Sequence, residues 1–189
     1  MRILILGPQG SGKGTQAKRI AGAYDAPHVA TGDILRAAVE NGSELGKQVR
    51  PILERGDLVP DELMVGLIRE RLAVEDAFVL DGFPRTVAQA EALDAMLEEI
   101  GKPLDAVILL EVSDEVATER LHGRALEEGR TDDTPEVISN RLRLYHELTE
   151  LVVDRYRQAG IEVAVDGERP MDDVFAAIQD ALDGVTANR

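Results

Sequence analysis

Four aliphatic residues, Ile3-Leu4-Ile5-Leu6, run straight into Gly7-Pro8-Gln9-Gly10-Ser11-Gly12-Lys13-Gly14-Thr15. A short unbroken apolar stretch ending in glycine is the pattern of a strand buried on both faces that delivers its carboxyl end to a loop. The spacing Gly7-x4-Gly12-Lys13 lets a loop of small residues turn successive backbone N–H groups toward phosphate oxygens, and Lys13 adds a point charge. The helical pattern that follows, Ala17, Ile20, Ala21 and Tyr24, brings the positive end of a helix dipole to the same place. An ordinary glycine-rich turn lacks this strand-before, helix-after context, so the loop predicts a nucleotide phosphate as its ligand. The residue after Lys13 is Gly14, and the hydroxyl arrives only at Thr15.

The rest of the 189-residue chain alternates short apolar runs with amphipathic stretches, with strands expected near 2–6, 28–30, 77–80, 106–112 and 161–165. This alternation predicts an α/β domain whose parallel sheet carries helices on both faces. Ligands in such folds sit outside the carboxyl ends of the strands, where Gly7, Thr31, Asp81 and Ser113 would converge. A long helix is expected over 135–157, with Thr134 as N-cap, Pro135 at the first position, and Val137, Ile138, Leu142, Tyr145, Leu148, Val152 and Tyr156 as its buried stripe. Residues 31–59 read as a helical insertion hanging off the rim, and residues 125–133 as a polar loop between two helices.

The formal charge is −15, from 21 basic and 36 acidic residues, which disfavours nucleic acid or an anionic membrane as a partner. There is no cysteine and no 18-residue apolar run, so neither a disulfide nor a thiolate zinc site is available, and a soluble cytoplasmic chain is expected. A polyanionic nucleotide then needs a local cluster of cations, and the basic residues are mostly arginine, whose planar fork matches phosphate oxygens.

Such clusters are visible. After Ala77-Phe78-Val79-Leu80 comes Asp81-Gly82-Phe83-Pro84-Arg85. A carboxylate at the end of an interior strand beside a phosphate loop is where nucleotide-borne Mg²⁺ is held, directly or through water; the alternative is that Asp81 only starts a turn with Gly82. Arg85 is placed for a second phosphate, its alternative being a solvated surface arginine. Thr31-Gly32-Asp33 with Arg36 is either a further binding set or a helix N-cap. Arg120, Arg124, Arg130 and Arg141 flank the polar loop, either to close over phosphates or to pair with neighbours including Glu119, Asp132 and Asp133. His28, His122 and His146 fall in no nucleophile or ligand constellation and read as structural.

Taken together, residues 7–16, Thr31-Gly32-Asp33, Gly56-Asp57-Leu58-Val59, Asp81 to Arg85 with Gln89, Arg130-x-Asp132-Asp133 and Arg141 resemble the adenylate kinase family over essentially the whole chain. The resemblance implies a single P-loop NTPase-type domain: a five-stranded parallel core (1–29, 60–123, 135–189), an insertion binding a nucleoside monophosphate (30–59) and a short lid (124–134), acting as a cytoplasmic monomer. It implies transfer of a phosphoryl group from Mg-ATP to AMP to give two ADP. ATP would be held by Gly10, Ser11, Gly12, Lys13, Gly14, Thr15, Arg120, Gly167 and Arg169. AMP would be held by Thr31, Arg36, Asp57, Leu58, Val59, Gly82, Phe83, Pro84, Arg85, Gln89, Arg130 and Arg141, with Gln89 reading the adenine edge. Lys13, Arg85, Arg124, Arg130 and Arg141 would be catalytic, and Asp81 would hold Mg²⁺, most simply through water. Gln9 stands where the family usually has proline, Ala30 where it often has serine, and the short lid lacks the cysteines of the zinc-binding type. A UMP/CMP kinase of the same fold and a non-catalytic nucleotide sensor are the competing readings, while no Asn-Lys-x-Asp guanine reader is present for a GTPase.

Overall fold

The structure is a computed structural model that describes residues 1–128 and 133–187. Five strands, β1 (Arg2–Leu6), β2 (His28–Ala30), β3 (Phe78–Asp81), β4 (Ala106–Glu111) and β5 (Glu162–Asp166), form one sheet in the order β2-β3-β1-β4-β5, every pair parallel. The helices are α1 (Lys13–Ala23), α2 (Thr31–Glu40), α3 (Glu44–Arg55), α4 (Asp61–Leu72), α5 (Val87–Glu99), α6 (Asp114–Glu128), α7 (Pro135–Leu144), α8 (Glu150–Gln158) and α9 (Met171–Ala187). Strand boundaries differ by a residue or so from the sequence expectation.

Alternation along β1 divides the core. Ile3 and Ile5 pack with Ala17 and Ile20 of α1 and with Val174, Ile178 and Leu182 of α9 on one face. Leu4 and Leu6 pack on the other face in a layer that includes α4, α5 and α8, with Ile68, Leu72, Leu93, Leu97 and Tyr156 fully enclosed. Each such aliphatic side chain contributes roughly 1.5–3 kcal/mol on burial, so the central strands are pinned in register from both sides. Because consecutive strands diverge from β1 to opposite halves of the sheet, a crevice opens above its carboxyl end.

The helix expected over 135–157 begins as anticipated: Thr134 Oγ1 accepts from Val137 N at 3.4 Å, with Pro135 at the first position. It is not one uniform α-helix. A π-helical turn, Tyr145–Thr149, separates α7 from α8. Thr149 lies in the buried stripe, and the expected Leu148 is only half-buried. The polar loop expected from residue 125 starts later, because Ala125, Leu126, Glu127 and Glu128 extend α6 by another turn. Arg130, Thr131 and Asp132, in the middle of the expected lid, lie outside the described residues.

His146, on the π turn, is tied to Glu150 Oε1 at 2.7 Å and to Asp114 Oδ1 at 2.9 Å, joining α8 to the start of α6. Glu150 first and Asp114 second raise its pKa above the ordinary 6.5. A raised folded-state pKa means that the ion-pair stabilisation is fully present below pH 6.5 and is lost as pH rises through the raised value. The side chain is 44% exposed, so the contribution is small. His146→Gln is expected to lower the melting temperature by about 2–4 °C at pH 6 and by less at pH 9, as followed by calorimetry at both pH values.

Candidate active site

The loop between β1 and α1 is built by backbone positions that side chains cannot occupy. Gly7 has φ +141°, and a Cβ there would come within 2.5 Å of the Leu110 carbonyl of β4. Gly12, left-handed at φ 90°, takes the N-cap position of α1 with no capping side chain, leaving the first N–H groups of the helix facing the crevice. Lys13 folds back over the loop, donating to the Gly7 and Pro8 carbonyls at 2.6 Å each and approaching Ser11 Oγ at 3.4 Å. Burial pushes its pKa down to about 8; Asp81 opposes that shift, whereas Arg85 and Arg124 add to it.

Beside this loop, Asp81 is the last residue of β3. Its Oδ2 points toward α1, 3.6 Å from where a Cβ on Gly14 would sit. Thr31 is not an N-cap, since that position belongs to Ala30; Thr31 opens α2 and donates its buried hydroxyl to the Asp81 carbonyl at 3.1 Å. A Cβ on Gly82, at φ +86°, would reach that same hydroxyl at 2.5 Å, so glycine is required for the close approach of β3 and α2. His28, read from the sequence as purely structural, lines the crevice with its buried Nε2 3.5 Å from Asp81 Oδ2. The sequence offered no signal for that meeting of residues 28 and 81, which register between β2 and β3 brings about. His122 is exposed on α6.

Arg85 is fixed by its backbone. Its N–H donates to Gln89 Oε1 at 2.7 Å, its carbonyl accepts from Thr149 Oγ1 at 3.0 Å, and its own Nε donates to the Gly82 carbonyl at 2.9 Å. Burial, then the neighbouring Arg141, lowers the guanidinium pKa from its ordinary value, against the pull of Asp81. Thr149 was missed by sequence reasoning because a threonine within an apolar stripe carries no signal of a partner 64 positions away.

Arg124 and Arg141 share one counter-ion. Arg124 Nε and Nη2 donate to the two oxygens of Asp133 at 2.9 and 3.0 Å, and Arg141 Nη1 donates to Asp133 Oδ1 at 2.5 Å. The Asp133 side chain is completely enclosed. Ion pairing, the plain alternative raised for these arginines, is thus what this state contains, alongside their exposure to the crevice. Arg36 likewise pairs with Asp33. Arg120 Nη1 donates to the Gly167 carbonyl at 2.9 Å, Arg169 lies 3.9 Å from Asp173, and Glu168 accepts from Ser113 N and Oγ at 2.8 and 2.7 Å. The Asp57 carboxylate is taken up by Arg55 Nε and Asn140 Nδ2, at 2.7 and 3.0 Å, which fastens the end of α3 to α7.

These elements enclose one cavity of about 930 Å³. Every residue assigned to a nucleotide or to Mg²⁺ from the sequence that falls among the described residues lines it, whereas Ser113, expected at the same rim, does not; Arg130 is the one assigned residue outside the described residues. The volume lies near the top of the range for small-ligand sites, enough for two nucleotides meeting at their phosphates. Among the described residues no group of three or more histidine or acidic side chains is disposed to hold a metal ion unaided, and no helix is long and apolar enough to cross a membrane.

Comparison with known proteins agrees with this geometry. Residues 5–161 match the family model described as Adenylate kinase. A protein named adenylate kinase from Xanthomonas campestris pv. campestris (strain B100) is 49% identical over 185 residues, covering 96% of this chain and 99% of the relative. Proteins of the same name from Stenotrophomonas maltophilia strains K279a and R551-3 are 47% and 46% identical over 96% and 97% of this chain and 99% and 100% of their own lengths. A family model matching most of the chain, and near full-length relatives at almost half identity, place this chain in the adenylate kinase family.

Proposed function

We propose that the cavity seats ATP and AMP end to end, the chain transferring the terminal phosphoryl group of ATP to AMP and releasing two ADP, reversibly. The observation that carries this reading is that both nominated sets of residues, the Lys13 side and the Arg85–Gln89 side, line one continuous space. The relatives compared above are all named adenylate kinase, which favours AMP over UMP or CMP as acceptor, and a silent nucleotide sensor would not need arginines on both sides of the transfer point. ADP formation from ATP with AMP, CMP or UMP as acceptor tests it: AMP should be used at least about tenfold more efficiently than UMP.

In this reading an AMP phosphate oxygen attacks the γ-phosphorus in line, the bond from that phosphorus to the β,γ-bridging oxygen breaks, and the electron pair leaves with ADP. The attacking phosphate has a second pKa of about 6, so it is already ionised near neutral pH and needs no general base. Lys13 and the N-terminus of α1 hold the donor phosphates; Arg36 and Arg85 hold the acceptor phosphate; Arg124 and Arg141 exchange Asp133 for the oxygens of the group in flight. The Asp81 carboxylate and the Thr15 hydroxyl are hard oxygen donors beside the phosphate loop and fit a Mg²⁺ that arrives with ATP. When bound, the ion supplies charge neutralisation on the β- and γ-phosphates. In this reading segment 30–59 closes to shut out water, and a cytoplasmic monomer is the working state.

Arg85→Ala and Arg141→Ala should each lower kcat by about 10³-fold. Neither should unfold the protein, because the Arg85 peptide is held through its backbone and Asp133 keeps Arg124 as a partner; melting curves and steady-state kinetics on the same preparations check both points. The depressed Lys13 pKa gives a second expectation. At pH 8.5 the free side chain is mostly neutral, and a bound triphosphate pulls its pKa back up, so ATP binding should take up protons. Titration calorimetry in buffers of different ionisation heat should show that uptake in the native chain and none in Lys13→Arg, whose guanidinium is charged throughout.

A further inference from the structure

Gln89 is 2% exposed, and its amide lies between two groups whose hydrogen-bonding sense cannot change. Its Oε1 accepts from the Arg85 backbone N–H at 2.7 Å, and its Nε2 donates to Asp61 Oδ1 at 2.7 Å. A peptide N–H only donates and a carboxylate only accepts. Turning the amide over would set N–H against N–H and carbonyl against carboxylate, two buried mismatches at once. Asp61 is itself fixed: it is the first residue of α4, and its Oδ2 accepts from Thr86 Oγ1 at 3.1 Å. Thr86 in turn caps α5 by accepting from Gln89 N at 3.2 Å, which closes a ring of bonds around the glutamine. Asp61 is not among the residues lining the cavity; it stands behind one that is.

We propose that Asp61 is a positioning residue that sets the base preference of the acceptor site by locking the Gln89 amide in one orientation. The proposal rests on the reading that Gln89 faces the acceptor base. With one lone pair and one N–H already engaged, the amide offers the base one acceptor and one donor in fixed order. That order complements an amino group beside an unprotonated ring nitrogen, as in adenine. It opposes a ring carbonyl beside a ring N–H, as in hypoxanthine, guanine or uracil, which would need the amide reversed. Asp61 therefore acts against oxo-bases by denying Gln89 the flip that would accommodate them.

AMP and IMP test this directly, since they differ only at this edge. In Asp61→Asn, and in Asp61→Ser, the restraining group can both donate and accept, so the lock is removed. Each variant should show KM for AMP raised by about tenfold and the AMP-to-IMP ratio of kcat/KM lowered by about tenfold or more, with KM for ATP and the kcat at saturating AMP within about twofold of the native chain. The ratio is taken on one preparation, so partial loss of folded protein cancels. Glu62→Gln, which removes a charge from the same helix end without touching Gln89, should leave the ratio unchanged. Gln89→Leu separates the two levels of the argument. If it collapses the ratio while both Asp61 variants retain it, the role given to Asp61 is wrong; if Gln89→Leu itself leaves the ratio intact, the reading of Gln89 fails and the proposal with it.

Discussion

At the carboxyl ends of β1 and β3 the backbone turns away from the sheet, and every group that could hold a phosphate must gather within that narrow opening. The opening exists because β1 sits in the middle of the sheet with its neighbours leading to opposite sides. Glycine at position 7 lets the chain leave β1 against the Leu110 carbonyl, and glycine at 82 lets β3 leave against the Thr31 hydroxyl. The two exits together bring Lys13, Asp81 and Arg85 to one mouth. A side chain at either glycine would push apart the walls that carry the charges.

Concentrating cations in a chain of charge −15 is a second constraint. Guanidinium groups brought together repel, so Arg141 adds to the burial that already lowers the Arg85 pKa. The enclosed Asp133 offsets that repulsion by holding Arg124 and Arg141 at once, and the charge of Asp81 attracts Lys13 and Arg85 through space. Carboxylates thus stabilise the cluster, and in the proposed function phosphate oxygens take their place, one set of charge-assisted bonds being exchanged for another.

Much of the site could be read along the chain because its parts are local motifs. The phosphate loop is nine consecutive residues after a strand, and Asp81 to Arg85 are five more. The pieces that could not be read are those made by contacts between distant segments: His28 against Asp81, Thr149 on the Arg85 carbonyl, Asp61 behind Gln89. The last of these spans 28 positions and Thr149 to Arg85 spans 64. The π turn escaped notice for a different reason, since a single widened helical turn leaves no mark on composition or on the spacing of the apolar stripe.

The amino-acid order alone determined the alternation of buried strands and amphipathic helices, the phosphate loop and the identity of the charged groups, because these depend on neighbours within a few positions. Only the folded chain decided which carboxylate restrains which cation and which way an amide must point. Those outcomes depend on strand register and helix packing, where a shift of one residue moves a side chain to the opposite face and removes its partner.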